Sequence, residues 1–260
     1  MIQLSTTQLD AWIVAFAFPL ARILGFIATA PIWNTPGIPR RTRLILGLAI
    51  AIAIIPALPA MPQVAPASLP GLLLLGQQTL LGIAMGFAAR IVFAAINLAG
   101  DFMGFQMGLS FATFYDPLNS SQTPVISEFL NLITLLLFLS LNGHLLYVAT
   151  LAKSFYILPV GSFPGSGSWL NLAELAGQIF SFGLLLSLPV VVALMITNLS
   201  LAVLTRAAPQ LNIFALGFPL TLLGGFIVLT ISLNYLATPL QNIYEVALTA
   251  MLQFAAPPGR

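Results

Sequence analysis

Long stretches without a formal charge constrain this chain more than any other feature of its sequence. No Asp, Glu, Lys or Arg occurs between Leu44 and Ala89, and the same holds for residues 175–205 and 207–244. A membrane-crossing helix needs about 20 mostly apolar residues, because roughly 30 Å of hydrocarbon is covered at about 1.5 Å per residue. Each stretch is therefore long enough to cross a bilayer at least once.

The overall composition agrees with a chain dissolved in lipid. Of the 260 residues, 59% are hydrophobic and only 5% are charged, whereas soluble domains carry about 25% charged residues. So few ionisable groups cannot cover a water-exposed surface. They also form no dense basic stripe of the kind that binds nucleic acid. We expect the lipid membrane to be the main solvent of this protein and no nucleic acid to be a partner.

The apolar stretches predict helices rather than strands. Strands of membrane barrels alternate apolar and polar residues, whereas residues 72–75 and 135–138 are apolar on every side. The sequence therefore predicts an all-α, polytopic membrane protein with one domain over residues 1–260. Six helices are expected, at roughly 11–33, 44–60, 72–100, 129–152, 172–205 and 213–238.

Three ionisable residues are candidates for charges at membrane depth, namely Arg22, Arg90 and Asp101. An ionisable group at membrane depth costs at least about 2.5 kcal/mol, so it is usually paired or faces water. A transporter would use such groups to bind a substrate or a coupling proton. Otherwise they would form ion pairs between helices or subunits, which is the more common arrangement. Both readings stay open from the residues alone.

The sequence offers no positive support for an enzyme. His144 is the single histidine, and without a second histidine or any cysteine a hydrogen-bonded packing role is more common than catalysis or metal binding. Neither the Gly-x-Ser-x-Gly nor the Gly-x-x-x-x-Gly-Lys motif is present. We expect no catalytic residue, no metal site and no cofactor.

Glycines recur at four-residue intervals on the third predicted helix. Such a spacing places them along one helix face, and small residues let two helices approach closely in lipid. The partner could be another helix of this chain or a helix of another subunit, and the sequence does not choose. The glycines with this predicted packing or assembly role are Gly82, Gly86, Gly100 and Gly104, and Gly108 continues the series.

A polar and aromatic segment follows this helix, from residue 108 to residue 124. Irregular backbone at membrane depth must be buried in protein or line a water-filled cavity. A re-entrant loop or a pore plug meets this condition, and an ordinary surface loop is an equally good alternative. The candidate residues are Gly108, Leu109, Ser110, Phe111, Phe114, Tyr115, Asp116 and Pro117.

A second polar segment separates the last two predicted helices. Pro209 is expected to end the fifth helix. Arg206, Gln210 and Asn212 offer several hydrogen-bond donors and acceptors to a partner protein. The segment can also be read as a simple hairpin loop.

These segments together resemble the FliR family of flagellar export-gate proteins. The resemblance rests on residues 206–219 (Arg-Ala-Ala-Pro-Gln-Leu-Asn-Ile-Phe-Ala-Leu-Gly-Phe-Pro), on Ala99-Gly100, on residues 106–111 (Gln-Met-Gly-Leu-Ser-Phe), on Asp116-Pro117 and on Asn142-Gly143-His144. The motifs occur in order over most of the chain.

The resemblance implies a core subunit of the type III export apparatus in the bacterial inner membrane, at the flagellar basal body. It implies one copy of this chain, assembled with FliP and FliQ beside FlhB and FlhA, in a gated channel for unfolded flagellar proteins. It further implies helical hairpins, kinked at prolines such as Pro19, Pro189 and Pro219, and a plug formed by residues 108–124 with a flexible Gly108. The rival hypothesis is a secondary transporter of a small solute that uses Arg90 and Asp101.

Overall fold

A computed structural model describes residues 6–35, 37–109, 124–208 and 213–256. Within these ranges the regular structure is helical, and no strand occurs. The α-helices in the described ranges are α1 (Thr6–Thr29), α2 (Arg40–Ile54), α3 (Leu69–Gln106), α4 (Val125–Ser140), α5 (Gly143–Ile157), α6 (Ser166–Ala207), α7 (Ile213–Leu233) and α8 (Ala237–Ala255), with a short 3-10 helix at Ile55–Ala57.

The all-α, polytopic fold predicted from the sequence is confirmed. Four of the described helices, α1, α3, α6 and α7, are long and apolar enough to cross a membrane. The number rises to five if α4 and α5 together form one bent span. The second predicted stretch contributes no span of its own because α2 has only 15 residues, or about 22 Å at 1.5 Å per residue.

The fourth predicted helix, 129–152, is broken in the structure. Asn142 has φ 55 and ψ 28, the left-handed conformation, which ends α4 and precedes α5. Asparagine tolerates this conformation better than most residues. Its carbonyl accepts hydrogen bonds from the amides of Leu145 (2.9 Å) and Leu146 (3.1 Å), so it also begins the next helix. The prediction of one continuous helix was wrong at this joint.

Helix α8 was not predicted at all. Its buried side chains include Leu240, Ile243, Tyr244, Ala247 and Met251, and the residues between them are mostly exposed. This is the three-and-four spacing of an amphipathic helix. A search for uniformly apolar stretches overlooks such a helix because half of its surface is polar.

The chain divides into two compact units. The first contains Met1–Ile91, Leu141–Ala176 and Tyr244–Arg260, and the second contains Val92–Ser140 and Gly177–Ile243. Helices α3, α6 and α8 each contribute to both units. The single domain expected over residues 1–260 stays a prediction, as do the bends at the prolines, which lie inside α1, α6 and α7.

In the first unit, α1 and α3 cross in close contact at glycines. A Cβ on Gly82 would clash with the carbonyl oxygen of Arg22 and lie 2.8 Å from the amide of Phe26, and one on Gly86 would lie 2.7 Å from the carbonyl of Phe26. On α1, a Cβ on Gly25 would likewise clash with the carbonyl of Thr79. Gly82 and Gly86 therefore pack helices within the chain, which resolves the alternative that the sequence left open for them.

Candidate functional site

Helix α3 ends in a Schellman motif directly before the segment with the candidate plug residues. Gly108 has φ 83, a conformation that glycine adopts without the steric cost of a Cβ. The amide of Gly108 donates to the carbonyl of Phe105 (3.1 Å), and the amide of Leu109 donates to the carbonyl of Gly104 (3.0 Å). These are the two hydrogen bonds that define the motif. Gly108 thus forms a hydrogen-bonded helix stop, and the flexible role expected for it stays a prediction.

Met107, the residue before Gly108, contacts α7 in the same unit. Met107 is fully buried, and its Cγ lies 2.5 Å from where a Cβ on Gly225 would be. The hydroxyl of Thr221 lies 3.4 Å from the carbonyl oxygen of Met107, to which it donates. Any other residue at position 225 would force the methionine side chain to shift. Helix α7 therefore fixes the C-terminal end of α3.

Helix α4, on the other side of the candidate plug segment, packs against the same part of α3. A Cβ on Gly100 would lie 2.5 Å from the Cα of Ser127. The Ser127 hydroxyl donates to Oδ1 of Asp101 at 2.7 Å, and one helical turn further the amide of Asn131 donates to the side chain of Asn97. These contacts run in opposite directions along the two helices. Helices α3 and α4 thus form an antiparallel hairpin, which is stabilised by hydrogen bonds as well as by close packing.

Both ends of the segment 110–123 are therefore anchored in one unit, the first by the helix stop and α7 and the second by the α3–α4 contact. The candidate plug residues Ser110, Phe111, Phe114, Tyr115, Asp116 and Pro117 lie outside the described residues, and so do Gln210 and Asn212 of the second polar segment. Arg206 is exposed in the last turn of α6. The role of the segment stays a prediction, and no pattern in the sequence indicated Thr221 and Gly225, which lie more than a hundred residues beyond Met107 along the chain.

Arg22 is fully buried in the first unit and is bonded to neutral groups. Its Nε donates to Oε1 of Gln78 (2.8 Å), and its two terminal nitrogens donate to Oγ of Ser154 (3.0 Å) and to the carbonyl of Leu158 (2.9 Å). Its guanidinium carbon also lies 4.0 Å from the centre of the Phe155 ring. Arg22 therefore connects α1, α3 and the end of α5 without an ion pair in the described part of the chain.

The two other intramembrane charges have different surroundings. Arg90 is exposed on α3, and Asp101 is half-buried with its carboxylate bonded to Ser127. Eleven residues on one helix separate the two by about 16 Å along its axis, so they form no pair. The transporter hypothesis, which needs both groups, gains no support from this arrangement.

The single histidine, His144, lies in the first turn of α5. His144 is half-buried on α5, and its Nδ1 has no hydrogen-bond partner in the ranges that the structure covers. The hydrogen-bonded packing role expected for His144 stays a prediction.

Comparison with known proteins gives consistent matches. The family model described as bacterial export proteins, family 1, matches residues 13–247. The flagellar biosynthetic protein FliR of Escherichia coli (strain K12) is 41% identical over 246 residues, 94% of each chain. The protein of the same name from Pectobacterium carotovorum subsp. carotovorum is 42% identical over 94% of each chain. The one from Bacillus subtilis (strain 168) is 29% identical, and the match covers 93% of this chain and 95% of the relative.

Proposed function

The chain belongs to the bacterial export proteins, family 1, and on that premise we propose that it forms, with FliP and FliQ, the gated channel of the flagellar type III export apparatus. Its membership makes it a membrane-embedded component of flagellar export. In the proposal it lies in the bacterial inner membrane at the flagellar basal body. One copy closes the ring of FliP and FliQ, beside FlhB and FlhA, and unfolded flagellar proteins pass through.

Within this channel the segment 108–124 acts as the plug. The observation that carries this role is the anchoring of both its ends: the Schellman motif with Met107 on one side, and the Gly100–Ser127 contact on the other. A segment held at two fixed points returns to the same closed position after each passage of a substrate. Its three aromatic residues, Phe111, Phe114 and Tyr115, supply the bulk that seals against ions, and its polar residues allow contact with an unfolded polypeptide.

The second polar segment serves as a contact for a partner protein in the same proposal. Arg206 supports this role because its side chain is exposed at the end of α6. Gln210 and Asn212 add further donors and acceptors.

Deletion of residues 110–122 tests the plug. This deletion keeps Gly108, Leu109 and Pro124, so both anchors remain. We expect the complex with FliP and FliQ to assemble normally and the closed channel to conduct small ions, because the obstruction is gone while the helix contacts stay. The measurement is ion flux through the purified complex in liposomes, with co-purification as the measure of assembly.

A matched control uses an aromatic residue of another loop. Phe163 is 65% exposed in the loop between α5 and α6, and Phe163→Ser should leave the flux unchanged. Replacing Phe111, Phe114 and Tyr115 by serine should reproduce the leak of the deletion at full loop length. An intact complex with unchanged conductance after the deletion would refute the plug assignment.

A further inference from the structure

The part of α3 in the first unit exposes a narrow line of side chains. Gly76, Leu80, Ile83, Phe87 and Arg90 are exposed, and their spacing alternates between four and three residues. Most residues between them are buried: Gln77, Gln78, Leu81, Gly82, Ala84, Met85, Gly86, Ala88 and Ala89. An alternation of three and four residues is the 3.5-residue repeat by which one helix packs along another in a left-handed coiled coil. We name these five exposed residues the α3 seam.

The α3 seam differs from a surface that faces lipid. Only 17% of the residues in the most apolar part of α7 are buried. In the most apolar part of α3, 61% of the residues are buried. Helix α7 thus exposes most of its circumference, as a helix surrounded by acyl chains does. The α3 seam exposes about one side chain per turn, which is the width that a single helix covers. At Gly76 a Cβ would meet nothing within 4 Å, so another backbone has room to approach closely there.

Arg90 indicates which chemical group a helix that covers the α3 seam should carry. Its side chain forms no hydrogen bond or ion pair with any residue in the described ranges, although it ends a line of apolar side chains on an apolar helix. Arg22 binds three neutral acceptors in its own unit, whereas Arg90 has no acceptor in the described ranges. An ionisable group in an apolar span is usually paired, and a carboxylate matches the planar pair of donors of a guanidinium. Leu80, Ile83 and Phe87 are 46%, 38% and 39% exposed, so the helix that covers them must be apolar up to the level of Arg90.

We propose that the α3 seam packs against one apolar helix of another subunit and that an Asp or Glu carboxylate of this helix pairs with Arg90. The inference rests on the proposed function, because the assembly of the export channel supplies the other subunit. It adds to that function the position and the chemistry of one contact between subunits.

Photo-crosslinking in the natively assembled, purified complex tests the proposal. A photoreactive amino acid replaces Ile83 or Phe87 on the seam, and Leu223, which is 60% exposed on α7, serves as the control position. We expect both seam positions to crosslink to one helix of one partner, identified by mass spectrometry, with an Asp or Glu within a turn of the residue that faces Arg90. The control position should crosslink elsewhere. Phospholipid adducts alone at the seam, or a partner helix without a carboxylate, would overturn the proposal.

Charge reversal provides a second test of the same contact. Arg90→Glu should lower the yield of the complex by about tenfold, because two carboxylates then face each other. Changing the mapped carboxylate to lysine should restore the yield. Lys153→Glu is the control, since Lys153 is an exposed basic residue on another helix, α5, and should assemble normally. Equal yields for Arg90→Glu and Lys153→Glu would overturn the inference.

The two proposals fail in different ways. If the unchanged chain does not co-purify with other export proteins, the proposed function fails. If it co-purifies while the seam contacts lipid only, the function stands and the inference on the seam is wrong.

Discussion

At the scale of single residues, Arg22 shows how a charge is accommodated in an apolar bundle without a counter-ion. Its three acceptors lie 56, 132 and 136 residues away in the sequence. Hydrogen bonds to a charged group contribute about 1.5 to 3 kcal/mol each. These hydrogen bonds also give a donor to the side chains of Gln78 and Ser154 and to the carbonyl of Leu158 at the end of α5, which would otherwise be buried without it. Arg22 therefore stabilises the first unit, and the ion pair expected for it is not needed.

Substitution of Arg22 should destabilise this unit strongly. Arg22→Met leaves Gln78, Ser154 and the carbonyl of Leu158 without their donor, and we expect a loss of about 3 kcal/mol or more in the free energy of unfolding. Arg22→Lys should recover only part of this loss, because an ammonium group cannot reach three acceptors in different directions. The thermal unfolding midpoint of the purified complex measures both effects. Lys153→Met, an exposed change, should shift the midpoint little, and similar midpoints for the two methionine variants would contradict the role of Arg22.

At the scale of helices, the glycines of α3 have distinct neighbours. Gly82 and Gly86 contact α1, and Gly100 contacts Ser127 of α4. Gly104 is buried, yet a Cβ on it would meet nothing within 4 Å. The regular spacing in the sequence made these positions look equivalent. Of the four glycines with a predicted packing or assembly role, only Gly104 has free space at its Cβ position, and its assembly role stays a prediction.

The pair Gly100 and Gly104 allows a matched experiment on one helix face. Gly100→Val should force α3 and α4 apart, break the bond between Ser127 and Asp101, and lower both the amount of folded chain and the yield of the complex. Gly104→Val should leave the chain folded and lower only the yield of the complex, because the added side chain occupies space kept for a partner. Protease resistance of the chain and co-purification with FliP and FliQ measure the two effects. Normal complex yield with Gly104→Val would contradict its assembly role, and a normally folded Gly100→Val chain would contradict the packing described.

At the scale of the whole molecule, a large apolar surface remains uncovered. Helices α6 and α7 expose side chains such as Leu185, Leu199, Leu223 and Ile227. Lipid can cover a part of this surface. We expect neighbouring proteins of the proposed export complex to cover the rest, so that the stability of the chain depends on them.

The chain expressed alone should therefore be unstable. In detergent we expect aggregation or rapid proteolysis without partners, and a stable, defined species when FliP and FliQ are produced together with it. Size-exclusion chromatography of the two preparations makes the comparison. A stable isolated monomer in detergent would count against membership of a permanent complex.

The sequence by itself determined the helical class, the position of the long apolar helices and the segment with the candidate plug residues. These features depend on local hydrophobic length and on motifs of neighbouring residues, which a sequence displays directly. The break at Asn142 was missed, because a search for long apolar stretches passes over a short polar turn such as Asn142-Gly143. Helix α8 was missed because its apolar residues form only one face.

Only the tertiary structure decided the contacts of each polar or small residue. It selected Gln78, Ser154 and Leu158 as the acceptors of Arg22, and it placed Met107 against Gly225. It also distinguished Gly82 and Gly100, which pack inside the chain, from Gly104, which has free space. The physical reason is that such contacts join residues far apart in the sequence, and their geometry depends on how the helices cross.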